Sequence, residues 1–248
     1  MIDFFLQKMD TGRCEEALVT VAGSRTYAEL LAAFQKKQAW LAAHQIRQGQ
    51  VVSFDGDYSL DSISLFLALA ANGNIIVPLS KDSQAHHQEF RDIAQTEYDI
   101  LLQHDQPSLV VTKRTASHSL YEELKKQQTA GLVLFSSGST GKSKGIVHDL
   151  YLLMEKFQFL RNKQRMLIFL QLDHIGGINS LLYSLANGGA IIVPENRSPS
   201  QVCQAIQRYK ADLLPTSPTF LNLILLSRAY EQFDRSSLKL MSDGTETL

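Results

Sequence analysis

Short apolar segments alternate with helical segments along most of this 248-residue chain, and that alternation limits the folds it can adopt. Residues 51–54 are apolar enough for a buried strand, residues 60–71 form a helix that is apolar on most sides, and residues 75–79 are the next apolar run. Such a strand–helix–strand unit forms a parallel pair with a right-handed crossover. The sequence therefore predicts an α/β fold with mostly parallel sheets and helices on both faces.

The same periodicities predict the remaining elements. Strands are predicted at 18–22, 99–102, 109–112, 132–135, 166–170, 190–193, 212–214 and 238–241, with a turn at Pro107. Helices are predicted at about 26–44, 148–161, 176–186, 199–209 and 218–230, and residues 81–97 are helical in character. Two α/β subdomains are expected: about 50–162, and about 163–248 with 1–48 as a candidate addition.

Composition excludes several classes of protein. The net charge of −1 gives no electrostatic reason to expect a nucleic-acid partner. No apolar run reaches the roughly 18–20 residues of a membrane span, and the early acid at Asp3 argues against a signal peptide. Cys14 and Cys203 lie far apart without metal-ligand spacing, which is typical of reduced thiols in a cytoplasmic protein. The pair His86 and His87 lacks further ligands and is expected on a solvated helix face.

The segment with the most specific chemistry is 135–145, Phe-Ser-Ser-Gly-Ser-Thr-Gly-Lys-Ser-Lys-Gly. Glycines let backbone N–H groups turn toward an anion, while hydroxyls and lysines add donors and charge, so a phosphate-bearing nucleotide is expected. The kinase-type P-loop requires glycine at position 136, which is Ser136, and the dinucleotide pattern G-x-G-x-x-G fails as well. A flexible linker is disfavoured because a strand precedes the segment and a helix is predicted after it.

This segment resembles the [S/T]-[S/T]-G-[S/T]-T-G-x-P-K-G loop of the adenylate-forming superfamily, which includes acyl-CoA synthetases, luciferases and peptide-synthetase adenylation domains. Ser143 stands where the family usually has proline, so more mobility is expected there. Six further segments resemble family motifs in family order: 26–30, 49–52, 70–79, 172–177, 214–221 and 237–246. Segments 135–142 and 173–178 are most similar to the fatty-acid–CoA ligase branch.

The resemblance implies ATP, Mg²⁺ and coenzyme A or a carrier-protein thiol as co-reactants, and a carboxylic acid, fatty or related, as substrate. Lys142 and Lys144 would offset phosphate charge during the reaction. The implied nucleotide-binding residues are Ser136, Ser137, Gly138, Ser139, Thr140, Gly141 and Gly145, with Gly244, Thr245 and Glu246 near the nucleotide or acyl pocket.

The remaining candidates have more than one interpretation. His174 is expected to line the acid pocket, with proton transfer paired to Asp173, or a purely structural role, as alternatives. Gly176 and Gly177 would allow close helix packing or open an acyl tunnel. Thr216 belongs to a helix-start turn and could also line the pocket. His148 is expected either at a helix start on the surface or beside the nucleotide.

The family motifs stop before the family pattern is complete. The 248 residues lack the ribose-binding Asp, the C-terminal lid domain with its lysine and the Tyr-Gly-x-Thr-Glu segment whose Glu helps hold magnesium. The alternative, that 243–247 is that last segment, is less favoured because 243–247 lacks the aromatic residue and directly follows the strand at 238–241. No protein metal ligand is therefore assigned. We expect a truncated N-terminal domain of an AMP-forming acid–thiol ligase with little activity alone, whose partners are a missing C-terminal half or an acyl-carrier protein. The alternatives are a non-catalytic domain that binds an acyl chain or a partner, and an unrelated phosphate-binding α/β protein.

Overall fold

A computed structural model describes residues 2–103, 106–137 and 142–243. In the first part of the chain the elements are α1 Ile2–Thr11, β1 Glu16–Thr20, β2 Gly23–Thr26, α2 Tyr27–Ala43, β3 Val51–Asp55, α3 Leu60–Ala71, β4 Ile75–Leu79, a 3₁₀ helix Lys81–His86, α4 His87–Ala94, β5 Tyr98–Gln103, β6 Gln106–Val111 and α5 Ser119–Gln127.

The second part of the chain continues the alternation. Its elements are β7 Gly131–Ser137, β8 Ser143–Asp149, α6 Leu150–Glu155, β9 Arg165–Leu167, α7 Ile175–Asn187, β10 Ala190–Ile192, α8 Pro199–Tyr209, β11 Leu213–Thr216, α9 Pro218–Ser227, α10 Ala229–Gln232 and β12 Leu240–Asp243.

The described residues divide into two compact units, each with its own sheet. Unit 1 comprises Met1–Leu6, Leu30–Gln158 and Leu172–Ile175, and unit 2 comprises Gln7–Glu29, Phe159–Gln171 and Gly176–Leu248. The unit 1 sheet has the order β6-β5-β3-β4-β7-β8, and the unit 2 sheet has the order β12-β11-β9-β10-β1-β2.

Both sheets are mainly parallel, with antiparallel pairs at their edges. The strands β5, β3, β4 and β7 are parallel neighbours, while β6 and β8 pair antiparallel at the two ends. In unit 2 only the pair of β1 with the edge strand β2 is antiparallel among the described strands. The predicted α/β class with helix-flanked sheets is confirmed.

The centre of unit 1 follows directly from the sequence pattern. Strands β3 and β4 are parallel neighbours in register Val51↔Ile75, as predicted. Helix α3 is buried on nearly all sides, and the Ser59 hydroxyl caps it by accepting a hydrogen bond from the Ser62 N–H at 3.0 Å. A helix that is apolar all round must lie inside the protein, because no face of it is suited to water.

The helix predicted at about 148–161 is present but shorter, Leu150–Glu155, and a strand that was not predicted precedes it. Residues 143–149 form strand β8, which pairs antiparallel with β7, and the helix begins only at Leu150. Asp149 caps that helix by accepting hydrogen bonds from Tyr151 N–H at 2.8 Å and Leu152 N–H at 3.2 Å. Pairing with a seven-residue partner strand satisfies the backbone of 143–149, and the β-branched Ile146 and Val147 suit a strand.

Other boundaries also differ from the sequence prediction. Helices α1 and α5 and strand β2 were not predicted, and β9 ends at Leu167 rather than at 170. Pro107 lies within β6 opposite Leu102 instead of in a turn, which is tolerated because β6 is an edge strand. The helix predicted at 218–230 divides at Arg228, whose φ of 53° places it in the left-handed region.

Candidate functional site

A hairpin in unit 1 carries the two ends of the glycine-rich segment. Strands β7 and β8 pair from Gly131↔Asp149 to Ser137↔Ser143. Because β7 is a parallel neighbour of β4, its carboxyl end lies at the sheet edge where ligands of α/β proteins bind. Ser136 pairs with Lys144 near the end of the hairpin, so both predicted residues lie at this edge.

The predicted residues Gly138, Ser139, Thr140, Gly141, Gly244, Thr245 and Glu246 lie outside the described residues.

Two lysines extend from this hairpin. Lys142 and Lys144 are exposed, and neither side chain forms a hydrogen bond or ion pair with another residue in the part of the chain that the structure describes. Two ammonium groups without a carboxylate partner beside a glycine-rich segment fit an anionic ligand, since a phosphate would offset their charge. The arrangement therefore fits the phosphates of the implied nucleotide.

Helix α4 packs against the same hairpin through aromatic rings. The rings of Phe90 and Phe135 are stacked at 4.0 Å with 3° between their planes, and His86 stacks on the other side of Phe90 at 5.7 Å. A Cβ at Gly145 would lie 3.3 Å from Ile93 Cγ2, which is tighter than an ordinary contact. Gly145 therefore has a packing reason to be glycine, in addition to any role in ligand approach.

Glu89 of α4 forms a hydrogen bond with Ser143, which lies near the end of the glycine-rich segment. Its carboxylate accepts a hydrogen bond from the Ser143 N–H at 3.3 Å and lies 3.1 Å from His86 Nδ1. The Ser143 hydroxyl, followed by His86, lowers the pKa of Glu89 below its ordinary value. Proline has neither an N–H nor a hydroxyl, so the serine at this position supplies donors that the usual family residue lacks.

Asp173 forms hydrogen bonds with two serines at the edge of unit 1. Its Oδ2 accepts hydrogen bonds from the Ser80 N–H at 3.1 Å, the Ser80 hydroxyl at 2.6 Å and the Ser83 hydroxyl at 2.9 Å. Ser80 directly follows β4, so this cluster lies at the carboxyl edge of the unit 1 sheet. The neighbouring His174 is exposed.

A buried charge network lies behind Ser80. His87 is 8% exposed, and its Nε2 donates to the Ser80 carbonyl at 2.7 Å, while its Nδ1 lies 3.6 Å from the Asp55 carboxylate. Arg91 pairs with Asp55, and Asp99 lies 3.6 Å from Arg91 Nε. The expectation that His87 lies on a solvated face is therefore wrong, because the histidine turns inward to the sheet edge. His86 is exposed as expected.

Gly177 lies at a close backbone contact within unit 2. A Cβ on Gly177 would lie 1.8 Å from the Gln171 carbonyl oxygen, so only glycine fits at this position. The next turn of α7 is joined to Gly176, whose carbonyl accepts from the Ser180 hydroxyl at 2.8 Å. This geometry supports the packing role for Gly177, one of the two roles considered for the glycine pair.

Thr216 ends strand β11 at the carboxyl edge of the unit 2 sheet. It is 1% exposed, and its hydroxyl has no hydrogen-bond partner among the described residues. The following Ser217 caps α9 by accepting from the Phe220 N–H at 3.2 Å, and Pro218 opens that helix. Ser217 thus performs the capping, which leaves the Thr216 hydroxyl available to line a pocket.

Sequence reasoning missed Ser80, Ser83 and Glu89. A signal for Ser80 was present, because polar residues directly after a parallel strand lie at the ligand-binding edge. Glu89 and Ser83 could not be found this way, since only the folded chain brings them to Ser143 and Asp173. His148 lies half-buried in β8, where burial and then Lys156 lower its pKa.

The described residues contain neither a cluster of metal-ligating side chains nor a membrane-spanning helix. No group of three or more His, Cys, Asp or Glu side chains in 2–103, 106–137 and 142–243 is arranged to hold a metal ion. No described helix is both long and apolar enough to cross a membrane.

The family model described as "AMP-binding enzyme" matches residues 7–248. The chain belongs to this family. The resemblance to adenylate-forming enzymes is therefore confirmed, and both curated relatives and solved structures of that superfamily are similar to this AMP-binding chain.

Two curated proteins similar to this AMP-binding chain are, by name, a CoA ligase and a coenzyme A synthetase. The chain is 24% identical over 229 residues to 2-succinylbenzoate–CoA ligase of Bacillus subtilis, covering 84% of this chain and 47% of that protein. It is 30% identical over 149 residues to acetyl-coenzyme A synthetase of Shewanella pealeana, covering 54% of this chain and 23% of that protein. The chain spans less than half the length of each of these relatives.

Solved structures share the fold. The N-terminal domain of FACL13 from Mycobacterium tuberculosis superimposes with a TM-score of 0.78 at 19% identity, covering 99% of this chain and 70% of that one. The Bacillus subtilis o-succinylbenzoate CoA synthetase MenE, in complex with the intermediate OSB-AMP, gives 0.73 at 19% identity, covering 99% and 69%. These similarities establish the fold of an N-terminal region in such enzymes.

Proposed function

We propose that the protein to which this chain belongs activates a carboxylic acid, fatty or related, with ATP and transfers the acyl group to coenzyme A or a carrier-protein thiol. The observation that carries this proposal is the β7–β8 hairpin, which extends Lys142 and Lys144 without described partners from the carboxyl edge of a parallel sheet. Because the chain belongs to the AMP-binding family, we assign the phosphates of ATP to that anion site.

The proposed reaction has two steps. A carboxylate oxygen of the acid attacks the α-phosphorus of Mg-ATP, the bond to the β-phosphate oxygen breaks, and pyrophosphate leaves with the acyl-adenylate formed. The thiol then loses its proton, its sulfur attacks the acyl carbonyl, and AMP leaves. Lys142 and Lys144 would offset charge on the phosphates during attack and departure, which is the electrostatic part of phosphoryl chemistry.

The other site residues are assigned by the same proposal. The hydroxyls of Ser136, Ser137, Ser139 and Thr140 would donate to phosphate oxygens, and Gly138, Gly141 and Gly145 would admit the ligand near the backbone. His174 and Thr216 would line the acid pocket. Magnesium would arrive with ATP, since the described residues supply no cluster of protein ligands for it. The whole chain would form part of an AMP-binding N-terminal domain, in a protein of the cytoplasm.

Nucleotide binding tests the first half of this proposal. Isothermal titration of the 248-residue chain with Mg-ATP should show binding that weakens about tenfold for each of Lys142→Ala and Lys144→Ala, the size expected for a charge-assisted contact. The matched control is Lys126→Ala, because Lys126 is an exposed lysine on α5 of the same unit. ATP binding that is absent, or equal in the double lysine variant, would contradict the proposal.

Exchange of pyrophosphate into ATP tests the second half. The isolated chain should support little or no exchange with acetate, octanoate or benzoate, because the adenine, ribose and lid elements of the family are not in these 248 residues. Adding the corresponding C-terminal half of a CoA ligase should raise exchange with the preferred acid. Full exchange by the chain alone would disprove the expected dependence on that half.

A further inference from the structure

The carboxylate of Asp173 is held by three donors from one short segment of unit 1. Its Oδ2 lies within 3.1 Å of the Ser80 N–H and within 2.9 Å of the hydroxyls of Ser80 and Ser83. A carboxylate oxygen can accept several hydrogen bonds at once, because it has more than one lone-pair site. Three of them on one oxygen fix the backbone of a residue that otherwise lies in an irregular turn.

Ser80 directs its hydroxyl to Asp173 instead of to the helix that it precedes. It occupies the N-cap position of the 3₁₀ helix Lys81–His86, and its side chain makes no capping hydrogen bond. A serine at that position ordinarily accepts from an N–H of the first turn. Here the hydroxyl donates to the Asp173 carboxylate at 2.6 Å. The 3₁₀ helix therefore has no side-chain cap from Ser80.

The donors are themselves rigidly supported. Ser80 is fully buried, and its carbonyl accepts from His87 Nε2 at 2.7 Å. His87 adjoins Asp55, which pairs with Arg91. A buried and mutually bonded network of this kind holds its members in one arrangement, because any displacement would leave a polar group unsatisfied. Asp173 is therefore bonded to a fixed point of the sheet.

That fixed point lies at the edge where the glycine-rich segment begins. Ser80 follows β4, and β4 is the parallel neighbour of β7, which leads into that segment. Residues 172–175 belong to unit 1 although the residues on both sides belong to unit 2. The contacts of Asp173 with Ser80 and Ser83 give a physical reason for this assignment.

We propose that Asp173 is a positioning residue, which holds His174 at the carboxyl edge of the unit 1 sheet through hydrogen bonds with Ser80 and Ser83. Asp173 thereby sets the affinity of the protein for the acid substrate and not its affinity for ATP. This inference rests on the proposed function, which assigns His174 to the acid pocket. It differs from the acid–base interpretation, because Asp173 acts through its hydrogen-bond acceptor and not through its charge or proton.

Ring and backbone resonances can separate these interpretations. The chain has seven histidines and fourteen glycines, so selective ¹⁵N labelling of both gives few signals, and His174 and Gly145 are assigned by their loss in His174→Ala and Gly145→Ala. Octanoate serves as the acid probe and Mg-ATP as the nucleotide probe. In the wild-type chain, octanoate should shift the His174 ring signal, and Mg-ATP should shift the Gly145 amide signal.

Three variants then test the role of Asp173. In Asp173→Ala the octanoate dissociation constant should rise about tenfold, while that of Mg-ATP changes less than about twofold. Asp173→Asn should stay within about threefold of wild type for octanoate, since its carboxamide oxygen accepts the same hydrogen bonds. Ser83→Ala should fall between the two. The matched control is Glu123→Ala, which removes an exposed carboxylate from α5 of the same unit.

Each contrary result overturns a specific part of the inference. Equal weakening in Asp173→Asn and Asp173→Ala would show that charge matters, and equal weakening for octanoate and Mg-ATP would show a general structural role. Unchanged octanoate binding in Asp173→Ala would exclude positioning. If wild type binds neither probe, the proposed function fails, and the anchor is judged separately: the backbone amide signal of His174 must shift more in Asp173→Ala than in Asp173→Asn, and equal or absent shifts overturn the inference.

Discussion

The carboxyl edges of the two sheets satisfy their polar groups in different ways. In unit 1, polar residues at this edge bond to one another: Asp173 to Ser80, Ser80 to His87, and Asp55 to Arg91. In unit 2, the residue that ends β11, Thr216, is buried with no partner for its hydroxyl among the described residues. Around Ser80 and Asp55 the unit 1 edge is internally bonded, although the exposed Lys142 and Lys144 at the same edge have no described partner. In unit 2 it is a buried hydroxyl, that of Thr216, that has unused hydrogen-bonding capacity.

This difference indicates how each edge could serve a ligand. Buried polar groups in proteins are nearly always hydrogen-bonded, so an unsatisfied hydroxyl at a ligand-binding edge calls for a partner. The network of Ser80, His87, Asp55 and Arg91 at the unit 1 edge is held by its own hydrogen bonds and ion pairs, without a ligand. The unit 2 edge has a donor and acceptor to offer, which suits pocket lining. Four substitutions test this contrast, from the largest expected effect to the smallest.

Removing the central cation of unit 1 should have the largest effect. Arg91 pairs with Asp55 and Asp99, and its side chain is 13% exposed. In Arg91→Leu the two carboxylates would lose a partly buried partner, and we expect a loss of about 3–5 kcal/mol in the free energy of unfolding, measured by urea denaturation. The control Arg25→Leu removes an exposed pair with Glu29 and should cost less than about 1 kcal/mol. Equal losses would mean that the network adds nothing.

A smaller loss of stability is expected at Gly177 of unit 2, where the backbone of α7 lies close to the carbonyl group of Gln171. In Gly177→Ala the new Cβ would lie 1.8 Å from the Gln171 carbonyl oxygen, so the backbone must shift. We expect a loss of about 1–3 kcal/mol, as for overpacked interiors, measured by thermal unfolding. Gly12→Ala is the control, because its Cβ would make only ordinary contacts at 3.7 and 3.9 Å. A stable Gly177→Ala protein would contradict the packing role.

The loss of one hydroxyl from the unit 1 network comes next. Ser53 is fully buried, and its hydroxyl donates to Asp99 at 2.7 Å. Ser53→Ala should lower the free energy of unfolding by about 2 kcal/mol, because the bond is to a charged acceptor. Thr96, which donates to the same oxygen at 2.7 Å, provides a second variant, Thr96→Val, that should cost a similar amount. An unchanged free energy of unfolding in both Ser53→Ala and Thr96→Val would show that neither hydroxyl is needed for stability.

The fold could be predicted largely from the sequence because apolar periodicity decides which segments are buried. Residues 60–71 form a helix and residues 75–79 form a strand, both with the predicted bounds. These bounds could be predicted because a segment that is apolar on all sides must be buried in the core. Strand β8 was missed because residues 143–149 lack a continuous apolar pattern, and their strand depends on pairing with β7.

The site could be predicted only where its residues are adjacent in sequence. The glycine-rich segment could be recognised from the spacing of its glycines, hydroxyl residues and lysines. Strand β7, which precedes it, ends at the carboxyl edge of the sheet, as expected. The contacts of Asp173 with Ser80 and Ser83 span 93 and 90 residues, and the contact of Glu89 with Ser143 spans 54. No local pattern encodes such distances. The inward turn of His87 was also missed, because its position beside Asp55 of β3 depends on the folded sheet.

The smallest effect on stability should come from the unit 2 edge, and its sign is the sharpest test of the contrast with Ser53. Thr216→Val replaces a buried hydroxyl that lacks a described partner by a methyl group of similar size. We expect no loss and a gain of up to about 1 kcal/mol in the free energy of unfolding, because an unsatisfied group is removed. If the hydroxyl lines the acid pocket, the variant should also bind octanoate more weakly while remaining stable. A loss of stability comparable to that of Ser53→Ala would mean that Thr216 has a partner in solution and that both edges are internally bonded.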